Sequence, residues 1–295
     1  MSHLVIGAGQ IGPHLARHLL AQGERVTVAT RSGRGPADLP VERLEASDGA
    51  ALRAALIEVE TLHLCLHASA YRADVWEREL PSLERTVLDA AAVTGTTVVF
   101  PESVYAFGTS SPVTAASAFA PRSPLGQVRR QLLEQRAASP ARTVSVVAGD
   151  FIGPGADQSH AGPRMWQAVV AGKTVRPVGD VDTVHAWTYL SDLAATMSAA
   201  SRHIDESIIV APAVHATQRE VVEAFARAAG VPVPRIRPVP LWALRAVGAV
   251  HPETSALAQT GHLFTEPLQI DFTTTREQFG LPATDLDVIA KATVG

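Results

Sequence analysis

Apolar positions along the chain follow two rhythms. Short unbroken runs alternate with segments in which apolar residues recur every three or four positions. Leu4-Val5-Ile6 is a run with no polar member, and Ile11, Leu15 and Leu19 come after it at intervals of four. An unbroken run suits a strand buried on both faces, whereas an interval of four marks one face of a helix. The same reading gives strands at 25–29, 41–44, 62–66, 97–100 and 143–147. Helices fall between them at 50–57, at 81–94 with Gly95 as its stop, and from Pro124 to about residue 138, with Ser123 as its cap. A polar loop rich in Ser, Thr and Pro spans 109–122.

After Gly149 the alternation stops. Phe151-Ile152-Gly153-Pro154-Gly155 begins an irregular stretch, and Thr217-Gln218-Arg219-Glu220 is a capping box. Pro232, Pro234, Pro238 and Pro240 punctuate the segment beyond it. Ile208-Ile209-Val210 reads as a return to the sheet. Strands alternating with helices predict a parallel sheet covered on both faces, with ligands outside the carboxyl ends of its strands. The expected fold is therefore α/β: a Rossmann-type doubly wound parallel sheet with a small intertwined C-terminal substrate-binding region. Residues 1–150 form the dinucleotide-binding core in this reading, and 151–295 most of the substrate region.

The first strand–helix junction reads Gly7-Ala8-Gly9-Gln10-Ile11-Gly12, a Gly-x-Gly-x-x-Gly fingerprint in its required setting. Gly7 permits the sharp turn, Gly9 lets a pyrophosphate approach backbone, and Gly12 lets the helix pack close. The phosphates would meet the positive helix N-terminus. An NAD site usually carries an acid at the end of the second strand. Here that end reads Thr30-Arg31-Ser32-Gly33-Arg34, so Arg31, Ser32 and Arg34 are expected to hold the 2′-phosphate of NADP(H).

Charge and composition narrow the setting. A net charge of −4 over 295 residues gives no bulk attraction to nucleic acid or an anionic membrane. No apolar run approaches the roughly 18 residues of a membrane span, and Cys65 is the lone cysteine. A cytoplasmic protein acting on a small molecule is expected. The eleven histidines offer no spacing with a third ligand nearby, so no metal site is expected.

Four marks make the chain resemble the short-chain dehydrogenase/reductase superfamily, in its extended NAD-dependent epimerase/dehydratase branch. They are the glycine fingerprint, Ser103-Val104-Tyr105, Phe151-Ile152-Gly153-Pro154-Gly155, and Trp187-Thr188-Tyr189-Leu190-Ser191-Asp192-Leu193-Ala194. The resemblance implies a nicotinamide cofactor and a small organic substrate, a carbonyl, alcohol or enone; it also admits a homodimer. The departures are specific. Where relatives carry Tyr-x-x-x-Lys, this chain has Leu125 and Arg129. Leucine transfers no proton and arginine is no base. The glycine spacing also differs from the branch's usual Gly-x-x-Gly-x-x-Gly.

With position 125 excluded, the strand-end loops supply the candidates. Tyr105 is the expected acid, and Ser103 resembles the serine that bonds the substrate oxygen. His67 and Ala68 follow the fourth strand, where the resemblance places ribose and nicotinamide. Tyr71, Glu102, Arg129, Asp150, His185 and Trp187 are the expected substrate contacts, Glu102 as a base if burial raises its pKa. Asp192 reads as a helix N-cap. An NADP-dependent oxidoreductase is the leading function. A redox-neutral epimerase or dehydratase with retained cofactor, or a non-catalytic cofactor-sensing protein, are the alternatives.

Overall fold

The computed structural model describes residues 1–109, 112–203 and 206–295. Ser110 and Ser111, in the polar loop at 109–122, lie outside the described residues. Seven parallel strands form the main sheet: β1 (Ser2–Ile6), β2 (Arg25–Thr30), β3 (Val41–Arg43), β4 (Thr61–Leu64), β5 (Thr97–Ser103), β6 (Thr143–Ala148) and, later in the chain, Ile208–Val210. Three short strands form a second sheet: β7 (Asp150–Ile152), β8 (Val184–Tyr189) and β10 (Val214–Thr217). The strand at 208–210 is therefore β9, and the main order is β3-β2-β1-β4-β5-β6-β9. Strand order reverses between β1 and β4, which opens a crevice at their carboxyl ends.

Side-chain alternation builds two layers from each strand. Leu4, Ile6, Val98 and Phe100 enter one core with Leu52, Val87 and Leu88, whereas Val5 and Val99 enter the other with Leu15, Leu19, Leu193 and Met197. The first core packs against α2 (Gly49–Ala55) and α3 (Ala73–Thr94), the second against α1 (Gly12–Ala21) and α6 (Leu190–Ala200). This is the doubly wound arrangement expected from the alternation. A third core joins the second sheet to α5 (Pro163–Val170), α7 (Gln218–Ala229) and α11 (Leu286–Val294).

Local chemistry sets the boundaries. Asp48 caps α2 by accepting from the backbone N–H groups of Ala50 and Ala51 at 3.0 and 3.1 Å. Ser123 caps α4 (Pro124–Ala137), and the Thr217–Glu220 capping box is formed at α7. Gly95 ends α3 in the left-handed conformation, at φ +76°. Two expectations are corrected. α3 begins at Ala73 and carries Pro81 inside it, because burial of Val75, Trp76 and Leu80 outweighs the local cost of the proline. Asp192 is not the cap of α6; Tyr189 is, and Asp192 instead accepts from Thr284 N and Oγ1 at 2.8 and 2.7 Å.

Three further helices complete the C-terminal half: α8 (Leu241–Gly248), α9 (Pro252–Gln259) and α10 (Thr273–Phe279). Ala256 of α9 joins Trp76, Leu80 and Leu125 in one buried cluster, so α9 packs with α3 and α4. Among the described residues no helix is long and apolar enough to cross a membrane.

Candidate active site

The glycine turn lies in the crevice, and each glycine has a separate reason. Gly7 sits at φ +111°, and a Cβ there would lie 2.5 Å from the Cys65 carbonyl oxygen. A Cβ on Gly12 would lie 1.9 Å from the Gly7 carbonyl oxygen, so the start of α1 can pack on the turn only as glycine. At Gly9 nothing lies within 4 Å. The middle glycine is thus not required by the protein's own packing, and its open side suits the approach of an anion to backbone. Gln10 accepts from the Gln158 backbone N–H at 2.7 Å, tying the turn to the loop after β7, and Ile11 is the N-cap residue of α1.

Arg31, Ser32 and Arg34 lie just past β2, Ser32 and its neighbours forming a surface turn. Ser32 Oγ accepts from Arg34 N at 3.3 Å and Thr30 Oγ1 donates to the Arg34 carbonyl at 3.0 Å, which closes the turn through Gly33 at φ +69°. Asp38, farther along the same connection, is held by Arg17 at 2.7 Å.

Across the crevice, the loop after β4 meets β5, α3 and α4 around one indole. Trp76 faces Tyr105 with rings stacked at 6.3 Å and meets the edges of Tyr71 and His67 at 5.5 and 4.7 Å. The Arg129 guanidinium lies 4.7 Å over it. The Tyr71 hydroxyl donates to the Tyr105 hydroxyl at 2.9 Å, and Thr260 Oγ1 stands 3.3 Å from Tyr71. Burial raises both tyrosines above their ordinary pKa, Tyr105 well above. His67 is exposed as a residue, but packing of its ring and then the Arg129 charge push its pKa down to about 4. It is neutral at pH 7, and Arg129 Nη2 donates to its Nε2 at 3.0 Å.

Several expected contacts are turned elsewhere. Leu125, fully buried, packs with Trp76 and Leu132, so the position of the missing tyrosine is core. Arg129 is occupied by His67, by Trp76 and by Glu102, whose Oε1 lies 3.5 Å from its Nε, rather than reaching toward a substrate. Glu102 is buried, with Oε2 accepting from Arg136 Nη1 at 2.9 Å and Oε1 accepting from Ser103 N at 2.7 Å, so both oxygens are engaged within the protein. The Ser103 hydroxyl caps the 3-10 turn at Val104–Ala106, accepting from Tyr105 N.

His185 and Trp187 share one face of β8, but that face is interior. His185 Nδ1 bonds the Leu263 carbonyl at 2.9 Å, Trp187 Nε1 donates to Ala216 O at 2.9 Å, and burial lowers the His185 pKa to about 3. Asp150 Oδ1 accepts from Phe151 N at 3.1 Å, while its buried Oδ2, like His185 Nε2, makes no hydrogen bond of ordinary geometry among the described residues; the His160 backbone N–H is a further, weaker donor to the carboxylate.

Sequence reading does not single out Trp76 or Thr260. The first is a large apolar residue whose spacing signals only core. The second lies 189 residues from Tyr71, and nothing local in the sequence couples them.

The chain matches the NAD dependent epimerase/dehydratase family over residues 3–211. No curated protein matches it. Among solved structures, it is similar to the UDP-glucose 4-epimerase of Brucella ovis in complex with NAD, at 20% identity and TM-score 0.79, with 100% of this chain and 98% of that one covered. The GalE-like L-threonine dehydrogenase of Cupriavidus necator, in its holo form, aligns at 19% identity and TM-score 0.78, over 100% and 99%. The UDP-glucose 4-epimerase of Thermus thermophilus in complex with NAD aligns at 20% and 0.76, over 100% and 98%. At these identities the likeness is one of fold, and it agrees with the seven-stranded sheet. The family match covers most of the chain, its fingerprint included: the protein belongs to the NAD dependent epimerase/dehydratase family.

Proposed function

We propose that the protein is an NADP(H)-binding oxidoreductase acting on a small carbonyl, alcohol or enone without the Tyr-x-x-x-Lys pair. The observation that carries the cofactor half is Gly9, the one fingerprint glycine with open space where a Cβ would stand. Gly7, Gly9, Gln10, Ile11 and Gly12 would hold the pyrophosphate, Arg31, Ser32 and Arg34 the 2′-phosphate, and His67 with Ala68 the ribose and nicotinamide. When bound, the nicotinamide supplies two-electron transfer at the substrate carbon. The chain's own part is to orient the substrate oxygen. Tyr105, supported by the Tyr71 hydroxyl, presents a hydroxyl for it. Neutral His67, fixed by Arg129, adds no positive charge of its own to that loop.

The burial of Leu125 favours one further reading, a cofactor-sensing protein without turnover. Oxidation or reduction monitored with a panel of alcohols, aldehydes, ketones and enones separates the two. The cofactor assignment is tested by titrating NADPH and NADH. A charge-assisted hydrogen bond contributes about 1.5–3 kcal/mol, so NADPH should bind ~10–100-fold more tightly. Arg31→Asp should abolish that preference. Gly9→Val should abolish binding of both in a protein that still folds, since no atom crowds that position. Equal affinities in the wild type reject NADP, and unchanged affinity in Gly9→Val rejects the site.

A further inference from the structure

We infer that Asp150 is the group that exchanges a proton with the substrate's oxygen, while Tyr105 holds that oxygen by a hydrogen bond. The inference rests on the oxidoreductase reading above. Its ground is the register of two neighbouring strands. Ser103 of β5 lies opposite Ala148 of β6, and Tyr105 and Asp150 each follow two residues later. Adjacent strand ends therefore deliver a hydroxyl and a carboxylate to the same edge of the sheet. Asp150 is then fixed by pairing of β7 with β8, where it lies opposite Trp187.

The hydrogen-bonding valences of the two groups are complementary. Asp150 uses Oδ1 on the Phe151 backbone N–H; its buried Oδ2 makes no hydrogen bond of ordinary geometry among the described residues, and the His160 backbone N–H is a further, weaker donor to the carboxylate. The Tyr105 oxygen already accepts from Tyr71, so its own O–H remains to be given. A substrate hydroxyl completes both: its proton points to Oδ2 and its oxygen accepts from Tyr105. Burial, the neighbouring hydroxyl and the Asp150 charge all hold the Tyr105 proton in place, so the tyrosines act as donors that do not ionise near neutral pH. Burial acts on Asp150 in the opposite functional sense, raising its carboxyl pKa, against the smaller effects of the His160 ring and of the Phe151 and His160 backbone N–H groups. His160 is itself held below its usual pKa by burial, and the Arg129 charge reaches the tyrosines from α4.

In the alcohol-to-carbonyl direction the substrate O–H bond breaks and its proton bonds to Oδ2. The electron pair of that bond stays on the substrate oxygen, held by Tyr105, and forms the second C–O bond as the carbon's C–H bond breaks; that hydride would be taken up by the oxidised nicotinamide of the proposed cofactor. In the reverse direction Asp150 returns the proton.

Asp150→Asn keeps the shape and removes the proton acceptor. Loss of a positioned acid or base should lower kcat by ~10²–10⁴-fold and remove the acid-side limb of the pH–rate profile. NADPH affinity should stay unchanged, showing that the variant folds. Removal of the negative charge should also lower the midpoint of tyrosine ionisation followed by ultraviolet absorbance. Wild-type kcat with an unaltered pH profile in Asp150→Asn overturns the step alone, and so does an unmoved tyrosine midpoint. A wild type inert on every alcohol and carbonyl overturns the oxidoreductase reading and the step together.

Discussion

Two polar clusters start from the same strand end and are built to opposite rules. Glu102, in β5, points into the layer between the sheet and helices α3 and α4, and there Arg136 is paired with both buried carboxylates. Arg136 grips both Glu84 oxygens at 2.6 and 2.8 Å, takes Glu102 Oε2 at 2.9 Å and Ser145 Oγ at 3.1 Å, and lies 4.0 Å over the Phe100 ring. Three residues on, Tyr105 faces the crevice with Tyr71 and Asp150, and that cluster is left incomplete at Asp150 Oδ2. Burying unpaired charge is costly, so a closed network reads as structure and an open one as a place for a ligand. Glu102 and Asp150 are both carboxylates near one strand edge, and only their partners tell the two roles apart.

The largest effect should come from breaking the closed network. Arg136→Met strands the buried Glu84 carboxylate and leaves Glu102 with Arg129 alone, and removing one partner of a buried ion pair costs about 3–5 kcal/mol. Urea unfolding should show that loss, and adding Glu84→Gln with Glu102→Gln should recover at least half of it. A single-variant loss below ~1 kcal/mol would mean that this network does not hold α3 and α4 to the sheet.

A buried histidine pair sharpens the contrast, because it avoids buried charge by remaining neutral, with one nitrogen of each ring left unpartnered among the described residues. His3 in β1 and His63 in β4 bring their ring nitrogens within 3.1 Å, and both are buried. Burial lowers the His3 pKa to about 4, against the nearby Glu24 carboxylate, and pushes His63 well down. In the unfolded chain these histidines take protons near pH 6.5. Between pH 6.5 and 4 the unfolded state therefore binds more protons, and stability falls as pH falls. At roughly 1.4 kcal/mol per pH unit, His3 alone should contribute a loss of about 2 kcal/mol between pH 6.5 and 5. His3→Gln should flatten that slope; an unchanged slope would assign the acid sensitivity to other groups.

How much of this is legible in the sequence depends on whether the cause is local. Unbroken apolar runs, the glycine fingerprint, the Ser123 and Thr217 caps and the Gly95 stop are local causes, and those strands and helix ends are where the sequence puts them. The first turns of α3 are not local. Pro81 reads as a helix start, and only the packing of Trp76 under Leu125 and Ala256 shows why the helix begins earlier. The second sheet escapes sequence reading because its strands are three to six residues long and pair across distant segments. The same limit applies to the site. Residue types mark Tyr71, Tyr105 and Asp150 as readily as Glu102, Ser103, His185 and Trp187. What separates them is orientation. All four middle residues of β8 are buried, so period-two alternation gives its side chains no outward face toward a pocket.

The smallest effect should distinguish the two tyrosines inside the open cluster. Both hydroxyls are part of one hydrogen bond, in which Tyr71 is the donor and Tyr105 the acceptor. Tyr71→Phe removes that donor but leaves the Tyr105 O–H available to a substrate oxygen. A neutral hydrogen bond contributes about 0.5–1.5 kcal/mol, so kcat should fall no more than ~10-fold, with KM little changed. Tyr105→Phe removes the group that would touch the substrate and should cost ~10²-fold or more. The asymmetry is the informative quantity. Equal losses in the two variants would make Tyr71 a direct contact as well, and a Tyr105→Phe variant with wild-type kcat would leave Tyr105 with only its stacking on Trp76. Thr260 Oγ1 gives a control within the same cluster. It bonds the Leu257 carbonyl at 3.2 Å as well as approaching Tyr71, so Thr260→Val should affect kcat less than Tyr71→Phe does.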